Sequence, residues 1–529
     1  MLSVQILRGE HMKPFLGKKG IASFLLGVVF FLFAIVLVRT AWVCDDAYIT
    51  FRTVENFITG YGLTWNVNER VQAYTHPLWM FVMAIGFFLT REIFFTSLFI
   101  SIMVSLFAVA LLVFKPPKTA PIGLFTMIVL LFSRAFIDYS TSGLENPMTH
   151  LLLALFCMHL YKEVGTEDTL FWLTFIAALG TINRMDTLLL FAPAIAYFFL
   201  NLRPKKALLQ LLLGALPFLL WEVFSLLYYG FLFPNTAYAK LGAGIPASQL
   251  LEQGIYYLLN SWKRDPITLS TLGLAILVTL KQREKRTLLL LMGALLYVLY
   301  VIRVGGDFMS GRFLTPPFFV ALLILTQTQG LETIRRWLWG PIFAVVILVG
   351  VLTPDVPLFS GKEYGDIKTN FKDEHGIGDE RKFYYDTCGL LQFQHGLEMP
   401  THEFAKMGRG YRQLNKTFVK VHGSVGFRGF FAGPYVHLVD YYALADPLLA
   451  RLPAKYNPNW RIGHFTREIP EGYESTLREG KNKILNPKIA ELYHCLTLIT
   501  RGPLGSWDRW KAIFRIHFTE DFTDLVLIE

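Results

Sequence analysis

Apolar runs alternate with short polar breaks along the first two thirds of the chain. A helix that spans a bilayer needs roughly 20 mostly apolar residues. The first run is Ile21 to Val38, preceded by Arg8, Lys13, Lys18 and Lys19. A basic flank of that kind holds the N-terminus in the cytoplasm. A signal peptide would end in small residues at a cleavage site. Here Arg39, Thr40, Ala41 and Trp42 follow, so the helix reads as uncleaved, with Met12 as an alternative start. The stretch 77–114 is too long for one helix and is cut by Arg91 and Glu92. Lys115 and Lys118 belong inside, so 95–114 crosses inward and 77–90 lies at the outer face. Further crossings are read at 120–133, 147–161, 168–183, 187–201, 207–229, 266–280, 287–303, 313–329 and 337–353. Eleven spans then leave every basic cluster, including Arg203 to Lys206 and Lys281 to Arg286, on the inner side.

The pattern changes near Pro354. The tail is polar, rich in Gly, Pro and His, and holds no further apolar run; the topology puts it outside. Alternating positions predict strands over Thr417–His422 and Tyr435–Val439, and helical periodicity covers Pro487–Ile499. Gly423 to Gly429 has a Gly-x-x-Gly-x-x-Gly spacing that is not a dinucleotide fingerprint and reads as a tight strand-to-helix turn. The expected architecture is therefore a polytopic α-helical membrane domain, 1–353, followed by an extracytoplasmic α/β domain, 354–529.

Composition agrees. Hydrophobic residues make up 53% of the 529 and charged residues 17%, against about 25% charged in a soluble domain. This excludes a soluble cytosolic enzyme, a disordered chain and a disulfide-stapled scaffold. The net charge of +10, from 50 basic and 40 acidic residues, sits in the inner loops and reports topology rather than nucleic-acid binding. Cys388 and Cys495 both fall in the outer tail, where oxidation is allowed, so a disulfide between them is considered. The scattered histidines of the tail lack zinc-site spacing.

Chemistry collects in the outer loops. The first carries Asp45 and Asp46 just beyond the first helix, then Arg52, Glu55 and His76 among aromatics. If a helix follows Cys44, Asp45 and Arg52 lie two turns apart on one face. The next loops bring Arg134, Asp138 and Glu145, then Arg184 with Asp186, then Asn235 and Lys240, then Asp307 and Arg312. Each has a plainer reading. A lone Asp caps a helix, Glu145 caps the helix near Pro147, Arg and Lys snorkel, Asp307 forms a turn, and His76 caps before Pro77. Interfacial anchoring accounts for Tyr and Trp but does not call for adjacent acids. Loops converging on one face therefore point to one site. A carboxylate base, cations for an anionic leaving group and aromatic walls suit transfer of a sugar from a lipid phosphate. Arg461, His464 and Arg467 of the tail are further candidates to meet the acceptor.

Asp45 to Arg52 together with Tyr74 to Trp79 resembles the first outer loop of the GT-C superfamily of integral-membrane glycosyltransferases. The branch resembled is that of the mycobacterial terminal β-(1→2) arabinofuranosyltransferases. Tyr139–Glu145, Pro234–Lys240, Gly305–Arg312, Ala445–Pro453 and Trp460–Arg467 resemble that branch as well. The resemblance implies a GT-C fold, an outer-face cavity with the catalytic Asp in the acidic pair, and a polyprenyl-phosphoryl sugar as donor. It also implies inversion, with arabinofuranose as the first sugar to consider. The acceptor would be an envelope glycan, a glycolipid or a protein, at the plasma membrane of a bacterium. Some members of the superfamily bind a divalent cation through acidic residues of the first two outer loops, and Asp45, Asp46 and Glu145 are the candidates here. The competing reading is a transporter or flippase for a lipid-linked saccharide. It would place charge at mid-membrane, where Glu222 is the main exception to charge-free spans.

Overall fold

The computed structural model describes residues 18–115, 119–162, 166–241, 243–328, 331, 334–364, 371–455, 457–522 and 525. The basic flank from Arg8 to Lys13, the start at Met12, and Lys118 lie outside the described residues. Helices dominate. The membrane part opens with α1 (Lys18–Thr40), α2 (Asp45–Ile58), α3 (Pro77–Thr90), α4 (Phe94–Phe114) and α5 (Ala120–Phe132). It continues through α6 (Arg134–Asp138), α7 (Asn146–Tyr161), α8 (Thr166–Asn183), α9 (Leu188–Leu200), α10 (Pro204–Tyr228) and α11 (Asn235–Leu241). It ends with α12 (Ala247–Arg264), α13 (Pro266–Gln282), α14 (Lys285–Arg303), α15 (Thr315–Gln327) and α16 (Trp339–Leu352).

A helix occupies each stretch read as a crossing. Among the described residues, α4, α10, α14 and the Ser23–Thr40 part of α1 are long and apolar enough to cross a membrane. Shorter apolar helices stand at Pro77–Thr90, Ala120–Phe132, Met185–Leu200, Pro266–Gln282, Arg312–Gln327 and Trp339–Leu352. The protein is a multi-pass membrane protein. Proline in the first turn opens α3, α10 and α13, where its missing N–H costs nothing. Asp265 caps α13 by accepting from the Thr268 N–H at 3.1 Å. The 77–90 segment is a helix packed on α2 and α4. The search for apolar runs passed over α11 and α12, because α12 is amphipathic rather than apolar and α11 is only two turns.

The tail carries α17 (Glu380–Cys388), α18 (Glu403–Gln413), β1 (Phe418–His422), α19 (Val425–Ala432), β2 (Val436–Asp440), α20 (Tyr473–Glu479), α21 (Pro487–Arg501) and α22 (Trp507–Phe518). The strands pair in parallel from Phe418↔Val436 to His422↔Asp440. Both fall where alternation placed them, and the 423–429 glycines do lead from strand into helix. A parallel pair needs a crossover, and α19 supplies it. α19 packs on α2, and Tyr48 of α2 meets Phe427, Phe430 and Phe431 of α19 edge-on or stacked. These rings share one buried cluster with Trp42, Trp79 and Tyr384, so the tail and the segment after α1 form a common core.

The Cys388–Cys495 disulfide is not formed. All four cysteines are free and buried. Cys388 packs in the cluster around Trp42 and Trp79, whereas Cys495 packs with α21 and α22 in another.

Candidate functional site

The first turn of α2 forms one wall of a cavity of about 310 Å³. The chain is extended at Cys44 and turns helical at Asp45, so both acids fall in the first turn, where the helix dipole favours negative charge. Lys240 at the end of α11 and Phe308 and Met309 of the Gly-rich loop form a second wall. The tail closes the rest with Glu380, Tyr384, Ser424, Asp440, Tyr442, Arg461 and His464.

The two acids differ. Asp45 is buried, and its oxygens accept from the Gly426 N–H at 3.1 Å and the Phe427 N–H at 2.7 Å, which caps α19. Burial pushes its carboxyl up to about 7 against those two donors. Asp46 makes no hydrogen bond or ion pair among the described residues, and it lines the cavity. Burial raises its pKa, while Lys240 and Arg312 pull it down. Lys240 also lines the cavity. Burial lowers its pKa, and Asp307 and Asp46 oppose that effect.

Glu145, His76, Arg184, Asp307 and Arg312 come together in a buried network beside the cavity. Glu145 accepts from Arg184 Nη1 at 3.0 Å and from Arg312 Nη2 at 3.0 and 3.1 Å. Burial alone would raise this carboxyl, yet Arg312, His76 and Arg184 hold it well below the usual range. Glu145 stands at the N-cap of α7 without capping it through its side chain. Arg184 also grips Asp186 through two nitrogens, Nε donating to Oδ1 at 2.8 Å and Nη2 to Oδ2 at 2.8 Å. Asp307 Oδ2 lies 3.6 Å from Arg312 Nη1. His76 does not cap α3. Its Nε2 is 2.7 Å from Thr50 Oγ1 and its Nδ1 is 3.4 Å from Glu145, and burial lowers its pKa to about 4.

Arg52 and Asn235 stand apart from the cavity. Arg52 is buried over the Trp65 ring at 4.3 Å and donates to the Val436 carbonyl at 2.8 Å, tying α2 to β2. Asn235 is buried and donates to the carbonyls of Ala443, Leu444 and Asp446 at 2.9–3.2 Å. Of the three tail candidates, Arg461 and His464 line the cavity. Arg467 instead donates to the carbonyls of Ala239, Leu452 and Phe465.

Glu380 was not anticipated. It is buried in the cavity wall, and Arg461 Nη2 donates to it at 3.2 Å. Burial outweighs Arg461 and pushes its pKa to about 7. The signal in sequence is Asp379-Glu380-Arg381 at a helix start, which reads equally as a solvated face. The cation reading does not fit these residues. Both Asp45 oxygens take backbone N–H groups, Glu145 is filled by two guanidiniums, and among the described residues no three His, Cys, Asp or Glu group to hold a metal ion.

No family model matches the sequence. The chain is similar to the terminal β-(1→2)-arabinofuranosyltransferase of Mycobacterium tuberculosis, 28% identical over 404 residues, or 66% of this chain and 63% of that one. It is similar to the enzyme of the same name from Corynebacterium glutamicum, 26% identical over 405 residues, or 65% of this chain and 55% of that one. The chain thus spans less than two thirds of the length of either relative. A crystal structure of ArnT from Cupriavidus metallidurans bound to undecaprenyl phosphate aligns over 81% of this chain and 77% of that chain, at a TM-score of 0.43 and 12% identity.

Proposed function

We propose that the chain is a glycosyltransferase that moves a sugar, arabinofuranose in the first instance, from a polyprenyl-phosphate donor to an envelope glycan, glycolipid or protein on the outer face of the membrane. The similarity to two arabinofuranosyltransferases supports the reaction class and the sugar. The observation that carries the reading is the cavity itself: an unpaired Asp46 carboxylate shares it with Lys240 and Arg461. Asp46 takes the proton of the acceptor hydroxyl as that oxygen attacks the anomeric carbon. The bond from that carbon to the phosphate oxygen breaks, and Lys240 and Arg461 stabilise the departing phosphate. Attack from the face opposite the phosphate inverts the anomeric centre. Asp45, occupied by two N–H groups, holds α19 against α2 and so sets the position of its neighbour. Glu145 does not act as base, because two arginines keep it charged and filled.

The test offers the purified protein labelled polyprenyl-phosphoryl arabinofuranose beside other polyprenyl-phosphoryl sugars, with a panel of envelope acceptors. Transfer of arabinofuranose is expected. Transfer of another sugar alone would replace the donor, and turnover of none would contradict the reading.

A further inference from the structure

α22 exposes a stripe that neither the cavity nor the core uses. Trp507, Phe514 and Phe518 are 72%, 61% and 74% exposed, and Lys511 between them is exposed as well. Their spacing of four, three and four residues puts them on one helical face. The opposite face, Arg509, Ala512 and Ile513, is buried. Three large exposed aromatics in one row mark a contact surface rather than a solvated face.

The position of α22 names what covers the stripe. Arg509 Nη2 donates to the Tyr228 carbonyl at 3.2 Å, and His517 Nε2 lies 2.9 Å from the Gly230 carbonyl. Tyr228 is the last residue of α10, so α22 is tied to the end of that helix. α10 is the least enclosed of the long apolar helices, with only 17% of its apolar window buried. Leu216, Leu220, Val223 and Leu227 face outward along it, followed by Leu232 and Phe233 beyond its end. That row is apolar and exposed, as a lipid-facing surface would be, and α22 is tied to the end of the helix that carries it.

We propose that α22 is an interfacial helix, with Trp507, Phe514 and Phe518 seated at the boundary between lipid headgroups and acyl chains and Lys511 reaching to the headgroups. Tryptophan and an amphipathic lysine suit that layer. α22 packs on α21, whose Leu496 and Ile499 share an apolar cluster with Val439 of β2. The next residue, Asp440, lines the cavity. Lipid contact at α22 thus fixes the height of one cavity wall, whatever sugar the cavity takes.

The test uses the full chain in lipid nanodiscs, with an environment-sensitive fluorophore on Phe514→Cys or Phe518→Cys. Leu216→Cys serves as the lipid-facing reference and Lys481→Cys as the water-facing one. The expected result is blue-shifted emission at 514 and 518, quenched by nitroxide carried high on the acyl chain and shielded from aqueous iodide. Iodide quenching equal to that at 481, without lipid quenching, would overturn the proposal. Protection from both quenchers would mean that protein, such as a second copy, covers the stripe, and would overturn it too.

Discussion

Asp45 and Asp46 are adjacent in sequence and separated in role by what each carboxylate meets. Replacing Asp45 with Ala leaves the Gly426 and Phe427 N–H groups buried without an acceptor. Each such group costs about 1–3 kcal/mol, so Asp45→Ala is expected to melt several degrees below wild type in detergent. A wild-type melting temperature would remove its structural role. Glu145→Ala leaves Arg184 and Arg312 buried beside an empty space. Breaking a buried pair on one side costs about 3–5 kcal/mol, and a loss of folded yield is the expected readout. Glu380 makes stability depend on pH. Its pKa rises from 4.5 to about 7 on folding, so the folded protein binds the proton more tightly than the unfolded chain. Its contribution is full below pH 4.5 and is lost as pH rises through about 7. Melting temperatures across that window are expected to fall less steeply in Glu380→Gln than in wild type; identical slopes would contradict the assignment. Both acids of the first loop were legible in the sequence, but their division was not. It depends on two N–H groups that lie in the tail, far along the chain.

At the scale of elements, the decisive contact is α19 on α2. A Cβ at Gly426 would land on the Asp45 backbone carbonyl, and the glycine at that position lets the two helices approach. Gly426→Ala is expected to cost about 1–3 kcal/mol through overpacking and to lower sugar transfer as well, since it moves Asp46. A melt and a transfer assay on one preparation check both, and unchanged values in both would count against the contact. The long apolar helices were readable as unbroken apolar runs, and β1 and β2 by their alternation on either side of the glycine-spaced turn. α11 was not, since two turns give no period, although it delivers Lys240 to the cavity. Arg52 shows the opposite case. The helical spacing was read well, yet the side chain turns to Trp65 and β2 rather than to the cavity, a choice set by tertiary packing.

For the molecule as a whole, we propose the eleven-span topology read from the sequence, with the tail outside and the Lys281–Arg286 loop inside. In intact cells, a membrane-impermeant thiol reagent is expected to label Lys416→Cys and to reach Arg283→Cys only after the membrane is opened. Labelling of both in closed cells would refute that topology. The support for that arrangement is the charge pattern, in which basic clusters stand at each turn assigned to the inner side. The closure of the cavity was legible only in part: Arg461 and His464 were candidates from the sequence, but Glu380 and Asp440 come from a polar tail in which charged residues ordinarily face water. The segment after α1, the end of α11 and the loop after α14 build one cavity with the tail, and the central claim concerns a single carboxylate inside it. The measurement that tests it most directly is the transfer rate of Asp46→Asn beside wild type, with melting temperatures taken on the same samples. Loss of general-base catalysis predicts a fall of about 10²-fold or more with the melting temperature unchanged. Transfer by Asp46→Asn at the wild-type rate would contradict the account.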